Sequence, residues 1–226
     1  MANSPREIAV IGCGALGLTS AILAQKAGAK VTIYAREQLP QTRSARATGS
    51  FTPDSRIALA GKVAPDFPAQ WEAMARTSFK MFRSYLGLPG NPVEWIDRYV
   101  VAGGDPGGRR ADPAVADALP FAEYYDRIAD LTPRRQVLPK GATPFGDRSV
   151  SRNENLMFNI ADYGHTLMTD FLLAGGRIEY REFHAPNELA QLKEKVVINC
   201  TGYGARALWK DESIVPVRGQ IAWLIP

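Results

Sequence analysis

The stretch AVIGCGALGLTSAILAQKAGAKVTIYARE, Ala9 to Glu37, limits the possible folds of this chain more than any other part of it. A short apolar run, Ile8–Ile11, stops at three glycines, Gly12, Gly14 and Gly17, and an alanine-rich segment begins at once. Short continuous apolar runs are the pattern of strands buried on both faces of a parallel sheet. Ala15–Lys26 has the composition and length of a helix, with Gly28 behind it as a stop, and Val31–Tyr34 is a second strand. Together they predict a βαβ unit with a right-handed crossover. A diphosphate bound at a helix start needs backbone N–H groups directed at it and no Cβ in the way. Gly12 permits the tight turn off the strand, Gly14 lets the backbone approach the phosphates, and Gly17 lets the helix pack close to the sheet. The spacing alone is a weak signal. Its place between strand and helix, with a second strand after, makes it a dinucleotide site, with Ala15 and Leu16 opening the helix beside the phosphates.

The residues alone leave the dinucleotide open. A carboxylate for the adenosine ribose normally ends the second strand, but Ala35 stands there and the first acidic residue is Glu37. Arg36 beside it fits a 2′-phosphate, as in an NADP-dependent dehydrogenase, and fits a solvated surface pair as well.

The remaining pattern is mixed α and β. A helix is expected at Pro68–Leu86, with Trp71, Met74, Ser78, Met81, Phe82 and Tyr85 on its buried side. Strand-like alternation follows at Val93, Trp95, Tyr99 and Val101, and Gly103–Pro113 is a loop. The chain is extended near Met157, and Asp162 caps a helix to Leu173 that ends at Gly175-Gly176. Arg177–Phe183 and Lys195–Cys200 are strands around a short helical piece at Glu188–Leu192, and Ile214–Ile225 is a further strand. This order predicts a discontinuous nucleotide-binding domain, 1–90 and 145–226, interrupted by part of another at 91–144.

Composition narrows the function classes. With 226 residues, 46% of them hydrophobic, the chain can bury a sizeable core. Its net charge is only +4 and its basic residues are scattered, so no nucleic-acid partner is expected. No window has the length of a membrane span, and the leading MANSPRE lacks the apolar stretch of a signal peptide. Cys13 and Cys200 form neither a CxxC pair nor a disulfide framework, which points to a reducing compartment, the cytoplasm. His165 and His184 have no second ligand at metal spacing, so no metal is expected. Ser50 and Ser151 lack a GxSxG elbow, so there is no hydrolase case. Cys13 reads as a packing residue, and Trp95, Tyr99, Tyr124 and Tyr125 read as core more than pocket.

Four segments in order, VIGCGALGLTSAILAQKAGAKVTIYARE, TRSARATGSFTP, VVINCTGYGARAL and VPVRGQ, resemble the D-amino-acid oxidase branch of the FAD-dependent amino-acid oxidoreductases. The resemblance implies an α/β fold, a Rossmann-like FAD-binding domain with part of an α+β substrate domain inserted. It favours FAD over NADP, because the second strand in that branch commonly ends in Ala followed by charged residues, as Ala35-Arg36-Glu37 does here. By resemblance, Arg36 and Glu37 border the adenosine, while Thr42, Arg43 and Ser44 help hold the diphosphate. Thr48, Gly49, Ser50 and Thr52 match the stretch beneath the isoalloxazine, Phe183 matches the residue whose backbone meets the adenine, and Thr201-Gly202 match the bend where the last parallel strand passes the cofactor.

The implied reaction is oxidation of a small-molecule amino acid or amine, with a hydride passing to flavin N5 and the imine hydrolysed to an oxo acid and ammonia. No catalytic residue is named within this chain. The tyrosines and arginine that grip substrate in the resembling enzymes fall beyond Pro226. The expected partner is therefore a C-terminal half, a second chain or another copy, covering flavin surface and sheet edge. The rival readings are a non-catalytic FAD-binding fragment or subunit and the NADP-dependent dehydrogenase.

Overall fold

The computed structural model describes residues 6–54, 57–101, 121–131, 135–146 and 148–214. In chain order its elements are β1 (Glu7–Ile11), α1 (Ala15–Lys26), β2 (Lys30–Ala35), α2 (Phe67–Arg83), β3 (Val93–Val101) and β4 (Gln136–Val137). Next come β5 (Val150–Phe158), α3 (Ile160–Leu173), β6 (Arg177–Tyr180), β7 (Val196–Asn199) and α4 (Gly204–Leu208). They form two compact units, Met1–Thr48 with Ile160–Pro226, and Gly49–Asn159. The stretches 49–90 and 145–159, expected within the nucleotide-binding domain, make their contacts in the second unit.

The first unit is built on a parallel sheet of order β6-β2-β1-β7. Ile8 is in register with Val31 on one side and Val196 on the other, so β1 is central. That position explains its unbroken apolar run: Ala9 and Val10 are wholly buried. Helix α1 buries Gly17, Leu18 and Ala21, and it packs with α3, where Gln25 Nε2 donates to the Phe171 carbonyl at 3.0 Å. Ala9 and Ile11 belong to a separate cluster with Tyr34, Leu189, Leu192 and Leu208, against which Phe183 packs. The fold class is the expected one, α/β with a Rossmann-like nucleotide-binding sheet.

The second unit carries an antiparallel sheet of order β3-β5-β4, with β3 and β5 paired from Val93↔Phe158 to Val101↔Val150. Helix α2 buries Trp71, Ala75 and Phe79; Trp71 lies on the stripe the sequence suggested, Ala75 and Phe79 do not, and Met74 is 53% exposed. Two apolar sets overlap on this helix, and the neighbours decide between them. Tyr124 and Ile128 pack on Trp71, while Phe51 and Trp95 pack on Phe79. Of the expected stripe, Phe82 also packs, edge-on to Phe158 at 4.8 Å. Tyr124 is a core residue as expected, whereas Trp95, Tyr99 and Tyr125 are exposed.

Two helix starts differ from expectation. Helix α3 begins at Ile160, so Asp162 lies in its first turn, where a carboxylate suits the positive end, and not at the cap. The expected piece at 188–192 is a 3-10 turn, Pro186–Gln191. The Glu188 carboxylate sets its start by accepting from the His184 and Ala185 N–H groups at 3.0 and 2.9 Å. The expected loop at Gly103–Pro113 and, apart from Ile214, the expected strand Ile214–Ile225 lie outside the described residues. Among the described residues no helix is long and apolar enough to cross a membrane.

Candidate functional site

At the end of β1 the chain turns at Gly12, whose φ of 110° an L side chain rarely adopts. Its N–H donates to the Tyr34 carbonyl at 2.8 Å, and a Cβ there would run into the Cys200 carbonyl oxygen just past β7. Gly17, one turn into α1, lies so close that a Cβ on it would overlap the Gly12 carbonyl oxygen. These two glycines therefore set how near helix and strands approach, as the spacing predicts. Gly14 occupies the N-cap position of α1, where it offers no side-chain cap, and the first turn holds no acidic residue. The Ala15 N–H donates to Ser44 Oγ at 2.9 Å, which brings the segment after β2 across the helix start.

The helix start opens on a cleft of about 470 Å³ in the first unit, lined by Gly12, Gly14, Leu16 and Gly17. Arg36, Glu37, Thr42, Arg43 and Ser44 line it from the segment after β2, and Phe183, Thr201 and Gly202 from the segments after β6 and β7. Ala15 does not line the cleft, because its N–H is turned to Ser44. Thr48 is not a lining residue either. Gly49, Ser50 and Thr52 belong to the second unit, where the chain at 49–51 is bound to β5. The Phe51 N–H donates to the Leu156 carbonyl at 2.9 Å, the Phe158 N–H to the Gly49 carbonyl at 2.7 Å, and Asn155 Nδ2 to Ser50 Oγ at 2.5 Å.

The sequence reading missed several lining residues: Tyr34, Arg181, Glu182, His184 and Tyr203, among others. Tyr203 lies under the Arg43 guanidinium, 5.0 Å from its ring centroid, and Arg181 stacks on Phe183 at 4.7 Å. Local spacing gives no sign of the Arg43–Tyr203 pair, whose partners are distant in sequence. A sign was available only from tracing which strand ends the parallel sheet brings to one edge.

Charge in the cleft is arranged around Arg36. Its Nη1 donates to Glu182 at 2.8 Å and its Nε stands 3.6 Å from Glu37. The bond to Glu182, then the charge of Glu37, raises the Arg36 pKa, and the guanidinium in turn holds the Glu182 carboxyl below its usual value. Two carboxylates beside this guanidinium oppose a 2′-phosphate, which weighs against the NADP reading. Thr42 is buried, and its Oγ1 has no hydrogen-bond partner among the described residues. A buried hydroxyl beside a helix start is short of one acceptor or donor that a ligand can supply. Among the described residues no three His, Cys, Asp or Glu side chains gather at metal-binding distance.

Cys13 lies in the same loop but is 2% exposed, and burial pushes its thiol up to about 11. It is therefore a packing residue with almost no thiolate at mildly alkaline pH. Iodoacetamide is expected to leave Cys13 unmodified in the folded protein and to alkylate it fully in denaturant, as read by mass spectrometry of the peptides. Rapid native alkylation would contradict this packing.

Tyr34 titrates late. Burial first, and then the charge of Glu194, push its hydroxyl up to about 12. The folded value lies above the unfolded one of about 10, so the folded state holds the proton more tightly. The stability this contributes is present below the unfolded value and is lost as pH rises toward about 12. Urea unfolding of wild type and Tyr34→Phe across that range is expected to show a steeper alkaline loss in wild type. Parallel profiles would contradict the assignment.

A glycine turn between a central parallel strand and a helix start, facing a cleft at the ends of the parallel strands, defines a dinucleotide-binding unit. The chain belongs to the DAO family of FAD dependent oxidoreductases, which matches it over residues 7–226. It is 30% identical over 216 residues to a D-amino-acid oxidase of Streptomyces coelicolor, covering 95% of this chain and 58% of that protein. To a D-amino-acid oxidase of Dictyostelium discoideum it is 27% identical over 217 residues, covering 95% and 56%. The chain thus spans a little over half the length of these curated relatives. Its fold is similar to that of glycine oxidase from Geobacillus kaustophilus, with a TM-score of 0.59 at 14% identity over 93% of this chain and 59% of that one. L-proline dehydrogenase from P. horikoshii gives 0.55 at 14% identity, over 94% and 57%. FAD is the family's cofactor, and the cleft fits it. The orphaned Thr42 hydroxyl is a feature that suits a diphosphate, while a Cβ on Gly14 would meet Ser44 Oγ at 2.9 Å, so that glycine makes room for Ser44.

Proposed function

We propose that this chain forms the FAD-binding part of an oxidoreductase that oxidises an amino acid or a related amine. The observation that carries the cofactor site is the buried, unpartnered hydroxyl of Thr42, a residue that lines the cleft at the start of α1. In this reading the backbone N–H groups at the start of α1 bind the paired phosphates, and Thr42 Oγ1 donates to a phosphate oxygen. Arg43, steadied on the Tyr203 ring, adds positive charge beside them. Glu37 takes the ribose hydroxyl protons, Arg36 is held beside it by Glu182, and Phe183 borders the adenine. The bend at Thr201-Gly202 is fixed by Asn199, whose Oδ1 accepts from Thr201 Oγ1 at 2.7 Å.

When bound, FAD supplies the two-electron acceptor that turns an amine-bearing carbon into an imine, which water hydrolyses to an oxo acid and ammonia. The amino-acid substrate class is supported by the two D-amino-acid oxidase relatives. The two cysteines are unpaired, which supports a reducing compartment such as the cytoplasm.

Anaerobic mixing of the FAD-loaded chain with a panel of D-amino acids, glycine and simple amines is the test. Loss of the visible flavin absorbance with at least one of them would support the amino-acid reading directly. A chain that holds FAD yet is reduced by none of them favours a cofactor-binding part without turnover of its own, and a chain that holds no FAD contradicts the proposal.

A further inference from the structure

A buried carboxylate lies behind one wall of the cleft. Glu194 stands between the 3-10 turn Pro186–Gln191 and β7, and its side chain is 1% exposed. The Tyr34 hydroxyl donates to it, 3.3 Å from Oε2 and 3.4 Å from Oε1, and Lys193 Nζ is 3.9 Å from Oε1. Tyr34 lines the cleft at the end of β2. Its ring meets Phe183 edge-on, with centroids 6.1 Å apart and planes at 78°, and the Arg181 guanidinium stacks on Phe183. Three lining side chains are thus tied in series to one buried acid.

Packing alone does not call for this arrangement. Tyr34 sits in an apolar cluster with Leu189, Leu192 and Leu208, where a phenylalanine would fill the same space. Burying a carboxylate is unfavourable unless it is paired and hydrogen-bonded. What the pair adds is direction, since a hydrogen bond at the tip fixes the ring where packing would let it shift.

We propose that Glu194 is a positioning residue for the nucleotide, holding the Tyr34 ring, and through it Phe183, as the wall against which the adenosine end of the cofactor binds. This inference rests on the FAD reading of the cleft. Calorimetric titration of the full chain with FAD and with ADP tests it, using wild type, Tyr34→Phe, Glu194→Ala, Glu194→Gln and the double variant Tyr34→Phe/Glu194→Ala.

Each of Tyr34→Phe and Glu194→Ala is expected to weaken both ligands about tenfold, the cost of immobilising one freed side chain on binding. The double variant is expected to be no weaker than either single one, because both remove the same bond. Glu194→Gln keeps an acceptor oxygen and is expected to return affinity to within about threefold of wild type. Should Glu194→Ala fail to fold, Tyr34→Phe and Glu194→Gln carry the test. Unchanged affinities in the variants, additive losses in the double variant, or Glu194→Gln as weak as Tyr34→Phe would each overturn the proposal. A wild-type chain that binds neither FAD nor ADP would remove the FAD reading itself, and this inference with it. Normal binding by wild type and by every variant would remove this inference alone.

Discussion

Gly17→Ala is expected to abolish measurable FAD binding and to lower the unfolding free energy by about 3 kcal/mol, the upper range for forcing extra volume into a packed contact. The added Cβ would overlap the Gly12 carbonyl oxygen, and neither backbone has a flexible end that can yield. Helix α1 must therefore lift from β1, and the N–H groups at its start move with it. A displacement of about 1 Å at such a site costs on the order of a hundredfold in function. Gly61→Ala is the control, since a Cβ there meets nothing within 4 Å. It is expected to change stability by less than about 0.5 kcal/mol and FAD affinity not at all. Chemical denaturation and flavin titration of both variants read the outcome. A Gly17→Ala chain that binds FAD as wild type does would mean that the close approach of helix and strand is not what presents the phosphate site.

The second large effect runs in opposite directions with and without cofactor. Thr42→Val removes a buried hydroxyl that has no partner among the described residues, while keeping the β-branched shape. Without FAD the variant is expected to be about 1 kcal/mol more stable than wild type, because an unsatisfied buried polar group is gone. With FAD it is expected to bind about tenfold more weakly, because the hydroxyl is the donor to a charged phosphate oxygen. Denaturation midpoints with and without saturating FAD are expected to cross: the variant leads without cofactor, and wild type leads with it. A variant less stable than wild type without FAD, at unchanged affinity, would show that Thr42 serves the fold and not the ligand.

How much of this was legible in the sequence differs between the two units for a physical reason. In the first unit the signal is local and strong. The βαβ unit lies in one continuous stretch, and its glycines are required by contacts that any such turn must make, so β1, α1 and β2 appear within a residue of where the sequence puts them. The last parallel strand is equally plain, because Val196–Asn199 is a β-branched run that pairs beside β1. In the second unit the sequence marks α2 and β3 and the buried Trp71 and Val93, but not the rest of what they bury. The stripe on α2 is chosen by Tyr124, Ile128, Phe51 and Trp95, residues distant in sequence.

The site shows the same division. Of the residues carried by motifs, Gly12, Gly14, Leu16, Gly17, Arg36, Glu37, Thr42, Arg43, Ser44, Thr201 and Gly202 line the cleft, and Ala15 and Thr48 do not. Glu182 and Tyr203 are not legible because their roles come from pairing between segments distant in sequence, Arg36 with Glu182 and Arg43 with Tyr203. That pairing also changes the meaning of Arg36. Alone in the sequence it suggests a 2′-phosphate; beside Glu182 and Glu37 it is half of a compensated pair.

The most direct measurement is a crystal structure of the chain with FAD bound. The account predicts the paired phosphates at the start of α1, within hydrogen-bond distance of the backbone N–H groups after Gly14 and of Thr42 Oγ1, with adenine beside Phe183. FAD bound elsewhere on the chain, or a cleft at Gly12–Gly17 closed by side chains with Thr42 bonded inside the protein, would contradict it.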